Sequence, residues 1–508
     1  VGMGVVDRKG SGGVSIAAMP MLPPLPLRAL ALLLAFAAGA ASALSAQSTA
    51  VGNGDTVREA PVRYDRDLLP PAFHRSRRDA VRAALPPGSV ALVLGGPEAR
   101  GALDDAQEYT QDPYLYYLTG TPEAGSALLL APDGVELEGC TVHEILFVPP
   151  RDHAMEIWLG RRFGPERALE ELGVESALAN TRFQEIVVPI LARPGRKVFL
   201  LPFPVVVAPQ TALAEQIGAV AEAAQVNSGA FDDVKLGAVL DGLREVKTPE
   251  EIALLQRAVD ITGSALGEAM ASMEPGWAEY DIEAVLEYRF RRMGSERPGF
   301  PSIVGSGENS VMLHYDTNRR VTRAGDLVVM DVGASYRGYT ADITRTVPVD
   351  GRFTKEQRAV YEIVLEAQEA AIEAVRAGVS FGAPGETASR VLARGLARLE
   401  LIRGPEDWAG LRRFFPHGTS HYLGLEVHDV GSYRALKTGA VVTIEPGIYI
   451  PPADDVDPKW WDVGIRIEDD VLVTEGEPVV LSAGIPKDPD EIEALMAGRR
   501  AATESGGR

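Results

Sequence analysis

The stretch LVVMDVGASYRGYTADITRTVPVDG, from Leu327 to Gly351, constrains this chain more than any other. Two strand-like runs flank a short polar segment, the pattern of a hairpin with its turn near Tyr336 and Arg337. With those two residues as the loop, Asp331 stands directly opposite Asp342, and both side chains share one face of the sheet. The apolar run Leu327, Val328, Val329 and Met330 leads straight into Asp331, which sets that carboxylate at the edge of a core. Two adjoining carboxylates repel, and burying them costs several kcal/mol unless cations compensate. A surface hairpin with two solvated aspartates is the plainer alternative. The rest of the chain has to decide between them.

A chain of 508 residues has room for two or three domains, each with its own core. Its net charge of −21 argues against nucleic acid or an anionic membrane surface as a partner, since both call for clustered Lys and Arg. Cys140 is the only cysteine, which excludes an internal disulfide and a cysteine-rich zinc site. Residues 1–60 form a separate region. Arg28 precedes the apolar run ALALLLAFAAGAASALSA, residues 29–46, with small residues at Ala41, Ala43, Ser45 and Ala46. That pattern predicts an export signal and a periplasmic or secreted protein, free of stable membrane contact once the signal is cleaved. Starts at Met19 or Met21 give a signal of ordinary length. The run is also close to the lower limit of a spanning helix, so a membrane anchor through residues 29–46 is the alternative. A cytoplasmic protein follows only if the N-terminus is misassigned.

From about Pro61 the chain alternates helix-like and strand-like segments. Apolar runs at Val90–Leu94, Ala127–Leu130, Ile145–Val148 and Val198–Leu201 read as buried strands. Helical stretches at Arg161–Leu172 and Ala212–Ala224 lie between them, giving an α/β domain over residues 61–240. Its histidines, His74, His143 and His153, have no ligand spacing and read as structural or surface residues. Thr248, Pro249 and Glu251 then form a capping box that opens a long amphipathic helix, and a second helix runs from Ala278 to Met293. Strands follow, including the hairpin. The same order recurs from a second capping box at Thr354 and Gln357, through a helix at Glu386–Leu399, to strands between Phe414 and Leu481. Residues 241–486 thus read as a mixed α+β domain of two pseudo-symmetric helix–helix–strands halves. Residues 487–508 read as a tail with one short helical pattern and a frayed end.

The second half supplies further ligand chemistry. HGTSHYLGLEVHDVG carries His417, His421 and His428, and His314 lies upstream in the same domain. Gly418 follows His417, so the HExxH pattern of helical zinc sites is absent, and Gly418, Thr419 and Ser420 predict a loop. Glu445 ends the apolar run of VVTIEPGIYI, and Pro446 and Gly447 turn the chain there. In VGIRIEDDVLVT, Gly464, Arg466 and Glu468 fall on one strand face, with Ile465 and Ile467 on the other. An exposed Arg466–Glu468 pair is the plain alternative, worth under about 1 kcal/mol. Two Asp, two Glu and a histidine offer hard oxygens and an imidazole, a set that suits divalent Mn, Co, Fe or Zn, and two ions better than one.

Four segments, DVGASYRGYTADITRT, HGTSHYLGLEVHDVG, IEPGIYI and GIRIED, resemble the metal-binding motifs of the pita-bread metallopeptidases, and upstream of them stands SIVGSGENSVMLHY at Ser302–Tyr315. The last, together with EIWLGRRFGPERALEELGV at Glu156–Val174, is similar to the aminopeptidase P subgroup in particular. The resemblance spans roughly residues 62–485. It implies an α/β N-terminal domain, a pita-bread catalytic domain and two divalent metal ions, manganese first. By position, Asp331 binds one ion terminally, Asp342 and Glu468 bridge both, and His421 and Glu445 bind the other. The resemblance further implies that Glu445 shuttles a proton, that His428 hydrogen-bonds the scissile carbonyl, and that His314 and His417 orient the peptide. Arg466 supports a ligand carboxylate, and Tyr449 lines the site. The implied reaction is hydrolysis of the N-terminal bond of peptides with proline at the second position, by a hydroxide bridging the metals. Relatives are often homo-oligomers. A prolidase restricted to Xaa-Pro dipeptides shares the ligands, and a non-catalytic binding protein on the same shell is the rival from another class.

Overall fold

The computed structural model describes residues 68–97, 109–203, 208 and 211–506. The export signal expected within residues 1–60 lies outside the described residues. Among them no helix is long and apolar enough to cross a membrane.

Strands β1 (Val90–Leu94), β2 (Ala127–Leu137), β3 (Cys140–Val148), β4 (Ala177–Ala179), β5 (Val198–Leu200) and β6 (Phe231–Asp232) build one mixed sheet in the order β4-β3-β2-β1-β5-β6. Side chains alternate across it because the strand period is two. Ala91 and Val93 join one core with residues of α1 (Pro71–Ala84), α2 (Pro113–Thr119), α4 (Gly164–Glu171) and α7 (Lys235–Glu245). Val90 and Leu92 join another with residues of α5 (Phe183–Leu191) and α6 (Ala212–Val226). The result is a three-layer α/β arrangement, as the apolar runs predict. The helix expected over Arg161–Leu172 is shorter. A one-turn α3 (Glu156–Leu159) stops at Gly160, whose φ of 78° ends it, and α4 begins only at Gly164. His74 is a structural histidine: its buried ring donates from Nδ1 to the Tyr117 carbonyl at 2.9 Å, and burial pushes its pKa down to about 4. His143 is half-exposed and His153 exposed.

Helix α8 (Pro249–Ser272) opens on the expected capping box, with Glu251 Oε2 accepting from the Thr248 N–H at 2.9 Å. It packs with α9 (Glu279–Arg292) over β7 (Arg297–Pro298), β8 (Ile303–Ser306), β9 (Leu327–Val332), β10 (Ala334–Tyr336), β11 (Tyr339–Thr340) and β12 (Ile343–Pro348). The second half repeats the order with α10 (Lys355–Glu373), capped by Thr354 and Gln357, then α11 (Ala383–Arg398) and α12 (Trp408–Phe414). Its strands are β13 (Val441–Ile444), β14 (Gly447–Ile450), β15 (Val463–Arg466), β16 (Asp469–Leu472) and β17 (Val479–Val480). The two halves meet where the Glu468 N–H donates to the Thr344 carbonyl at 3.1 Å and Thr346 Oγ1 to the Arg466 carbonyl at 2.9 Å.

Three expectations need correction. The hairpin turn is Arg337–Gly338, with φ of 52° and 83°, so Asp331 pairs with Thr344 and not with Asp342. Two consecutive left-handed residues are what a two-residue hairpin loop requires, and Gly338 supplies one at no steric cost. Moving the loop by one residue moves every partner by two, which preserves the face. Asp342 therefore remains a diagonal neighbour of Asp331. The second correction concerns the strand expected to hold Gly464, Arg466 and Glu468 together. It breaks: β15 ends at Arg466, β16 starts at Asp469, and Glu468 sits in the junction. Third, the C-terminal segment forms α13 (Pro489–Gly506), which buries Ile492 and Met496 in the core of the preceding domain instead of fraying after a short turn.

Candidate metal centre

Each candidate ligand stands at the end of a strand or in a tight connection, where backbone pairing fixes it. Asp331 is the fifth residue of β9, flanked on both sides by β8 and β12. Asp342 lies just before β12, and its N–H donates to Asp470 Oδ2 at 3.2 Å. Glu445 follows β13, with its N–H on the Thr419 carbonyl at 2.9 Å. His421 lies in the expected loop, its N–H held by Thr443 Oγ1 at 3.1 Å. Ligand atoms of Asp342, His421 and Glu468 fall within 4.8 Å of one another. His421 Nε2 is 3.3 Å from Asp342 Oδ2 and 3.6 Å from Glu445 Oε1.

The histidine tautomers follow from their partners. His421 Nδ1 lies 3.0 Å from the Tyr422 carbonyl, which can only accept, so Nδ1 carries the proton and Nε2 presents a lone pair to the carboxylates. A metal-ligating imidazole has this arrangement. In His417, Nδ1 donates to the Gly418 carbonyl at 2.7 Å and Nε2 meets the Tyr449 hydroxyl at 2.8 Å. Both its ring nitrogens are taken, and burial, aided by Arg466, pushes its pKa down to about 4. His428 packs edge-on against His421, centroids 4.3 Å apart. His314 is exposed on the loop before β9, directly after Leu313, whose carbonyl lies 3.5 Å from Arg466 Nη2.

Charge is unbalanced here. Arg466 is the protein cation in contact with the acidic cluster: Nη2 lies 2.5 Å from Asp331 Oδ2, Nη1 donates to the Tyr449 hydroxyl at 2.9 Å, and Nε to Thr344 Oγ1 at 3.2 Å. Thr344 in turn donates to Glu468 Oε2 at 2.7 Å. Burial first, then the charges of Asp331, Asp470 and Glu445, push the Asp342 carboxyl well above its ordinary range. Glu468 is raised by burial and by Asp342, Glu445 and Asp331. Asp331 Oδ1 and Asp470 Oδ1 are buried without a donor. Orphaned carboxylate oxygens beside an imidazole lone pair are what a site for divalent cations leaves when described as protein alone, and the donor set fits such ions. Beside His417 opens a cavity of about 600 Å³ lined by Phe381, Trp408, Phe415 and Ser420, with room for amino-acid side chains.

All ten residues singled out in the sequence converge on this region. Sequence reasoning missed Thr344, Thr443 and Asp470. Thr344 shares a strand face with Asp342 two residues earlier, and Asp470 closes the acidic run after Ile467, so both carried a weak signal. Thr443 carried none.

Comparison with known proteins gives the same picture. Residues 253–475 match metallopeptidase family M24, and residues 74–199 match the aminopeptidase P N-terminal domain. The Xaa-Pro aminopeptidase of Escherichia coli is 38% identical over 448 residues, covering 84% of this chain and 97% of that protein. Human Xaa-Pro aminopeptidase 3 is 32% identical over 414 residues, with 80% of each chain covered. The solved structure of E. coli aminopeptidase P with the inhibitor Pro-Leu superposes with a TM-score of 0.78 at 36% identity, covering 85% of this chain and all of that one. A mixed α/β N-terminal domain, a pita-bread domain and a cluster fit for divalent cations thus coincide with close likeness over most of the length: the chain belongs to the aminopeptidase P group of metallopeptidase family M24 and is a metallo-aminopeptidase.

Proposed function

We propose that this enzyme uses two divalent metal ions to hydrolyse the N-terminal peptide bond of peptides whose second residue is proline. The observation that carries the metal part is the group of Asp331, Asp342, Glu445 and Glu468 around His421, with the Arg466 guanidinium on Asp331. In this reading Asp331, Asp342, His421, Glu445 and Glu468 would together hold the two ions. Manganese is the first choice, with cobalt, zinc and iron admitted by the same donors. When bound, the ions neutralise the carboxylates, acidify water and polarise the scissile carbonyl.

The chain's own groups do the rest. Glu445 takes the proton from the attacking water at a carboxylate oxygen and returns it to the departing proline nitrogen. His428, braced on His421, donates to the carbonyl oxygen as negative charge develops there. With both nitrogens of His417 engaged, its contribution is a ring face, suited to packing on a proline ring. His314 orients the peptide. Arg466 aims the Asp331 carboxylate, and Tyr449 locks Arg466 to His417. The substrate part is supported by the relatives, whose names specify an Xaa-Pro bond. Export through residues 29–46 belongs to the same reading, supported by the sequence pattern alone.

A length series of Xaa-Pro peptides with added Mn, and Glu445→Gln as control, tests this. Cleavage of tripeptides and longer substrates, lost in the mutant, is the expected result. Activity confined to dipeptides makes the enzyme a prolidase, and undiminished cleavage by the mutant removes the proposed proton path.

A further inference from the structure

Glu279, the first residue of α9, is fully buried, and its carboxylate accepts five hydrogen bonds. Oε1 takes the Ser306 N–H at 2.7 Å, the Ser306 hydroxyl at 2.8 Å and the Asn309 side-chain amide at 3.0 Å. Oε2 takes the Tyr315 hydroxyl at 2.8 Å and the Arg320 N–H at 2.9 Å. Capping α9 does not explain this set, because Asp281 already accepts from the Ala278 N–H at 2.8 Å. Every donor comes from residues 306–320, the segment that bears His314.

The segment's other flank is fastened as well. Ser310 Oγ donates to the Asp462 carbonyl at 3.1 Å and accepts the Gly464 N–H at 3.0 Å. A Cβ on Gly464 would meet the Ser310 carbonyl oxygen at 2.0 Å, so only glycine allows the approach. Arg466 Nη2 reaches the Leu313 carbonyl at 3.5 Å. Between Leu313 and Tyr315 stands His314, and no hydrogen bond among the described residues holds its ring. Its place over the site is therefore set by its backbone and by the two neighbours that are tied down.

We propose that Glu279 is a positioning residue for the reaction: through Tyr315 and the 306–320 segment it fixes where His314 stands over the substrate site. The inference rests on the role given to His314 above. An ionised carboxylate is the one side chain of this size that accepts five bonds and donates none; a glutamine turns one end into a donor facing the Tyr315 hydroxyl and the Arg320 N–H, or the Ser306 N–H. Buried charge-assisted bonds of this kind act as a unit, so loss of one face loosens the segment.

The test is a double-mutant cycle on the metal-loaded enzyme, joining Glu279→Gln or Tyr315→Phe to His314→Ala. Tyr315→Phe deletes one hydroxyl and keeps the core, so it carries the test if the glutamine variant does not fold. Metal content should stay at the wild-type value in all variants. Glu279→Gln is expected to lower kcat/KM about 10-fold or more, dividing between kcat and KM as His314→Ala does, and Tyr315→Phe about threefold. In the His314→Ala background each should add less than about twofold. Equal losses in both backgrounds would overturn the proposal, as would wild-type kcat/KM in Tyr315→Phe and Glu279→Gln. If His314→Ala alone is fully active, the role of His314 in the proposed reaction fails. The signal of the isotope-labelled His314 ring then decides the positioning: displacement or splitting in Tyr315→Phe with the other histidine signals unmoved supports it, and an unmoved His314 signal overturns it.

Discussion

Glu468 and Asp469 are consecutive, both acidic and both buried, yet they meet opposite electrostatic surroundings. Asp469 Oδ1 accepts from Arg345 Nη2 and the Ser482 hydroxyl, and Oδ2 from Lys487 Nζ and the Gln368 amide, each at 2.7 Å. Burial opposes its ionisation, and Arg345 and Lys487 overcome it, holding the carboxyl down at about 2. Glu468 turns to the other side of the backbone, where it finds one hydroxyl from Thr344 and three further carboxylates. A buried acid supplied with its own cations is scaffold; one left among other acids awaits a cation from outside. Burial alone does not tell the two apart. The partner list does.

The comparison breaks most visibly through Glu468→Gln. Removing a like charge from a crowded site should leave the metal-free protein as stable as before or more so, while Mn-dependent kcat/KM falls by about 10³ or more. Urea midpoints after chelation and kinetics with added Mn check both halves. Asp469→Asn should do the reverse. It leaves Arg345 and Lys487 partly unpaired in the interior, so unfolding becomes easier by about 3–5 kcal/mol. Its folded fraction should keep activity within a few-fold and still gain stability on Mn addition, which Glu468→Gln should not. Equal destabilisation by the two variants would erase the distinction.

His74 sharpens the contrast as a buried group that meets its surroundings by staying neutral. Its folded pKa of about 4 lies below the ordinary 6.5, so the unfolded chain binds the proton first. Stability is then present above pH 6.5 and lost as pH falls toward 4, by up to about 3 kcal/mol. His74→Asn, which keeps a donor for the Tyr117 carbonyl, should flatten that slope in urea midpoints between pH 7 and pH 4.5. Among the variants of this comparison, the smallest effect is expected from Arg466→Lys. A point charge cannot serve Asp331, Thr344 and Tyr449 together, so kcat/KM should drop about 10- to 100-fold with the fold retained.

Local pattern revealed most elements and the candidate ligand carboxylates and histidines, because apolar runs, capping boxes and strand-end acids are written in consecutive residues, while Tyr449 entered only through the resemblance. Register was harder. A turn at Tyr336–Arg337 and one at Arg337–Gly338 give the same faces, and only the left-handed backbone at Arg337 and Gly338 separates them. The break between Arg466 and Asp469 leaves the alternation of side chains looking continuous, so nothing in it betrays the junction. Ile492 and Met496 looked like a weak helical pattern because the groove that buries them belongs to residues far upstream. Glu279, Thr344 and Asp470 escaped for the same reason. Their meaning lies in partners contributed by distant segments, and a buried acceptor looks like any surface acid until its donors are known.

The junction at Glu468 also bears on how the enzyme is made. Asp331 and Asp342 belong to the first half of the domain, Glu445 and Glu468 to the second, and the halves are joined there by the bond from Glu468 to the Thr344 carbonyl. A nascent chain that has not yet yielded residue 468 holds only part of the donor set, and scattered carboxylates on an unfolded chain bind divalent ions weakly. With the proposed ligand set, the site is complete only once the two halves have come together. The compartment where the chain folds, through the ions it keeps available, chooses the metal.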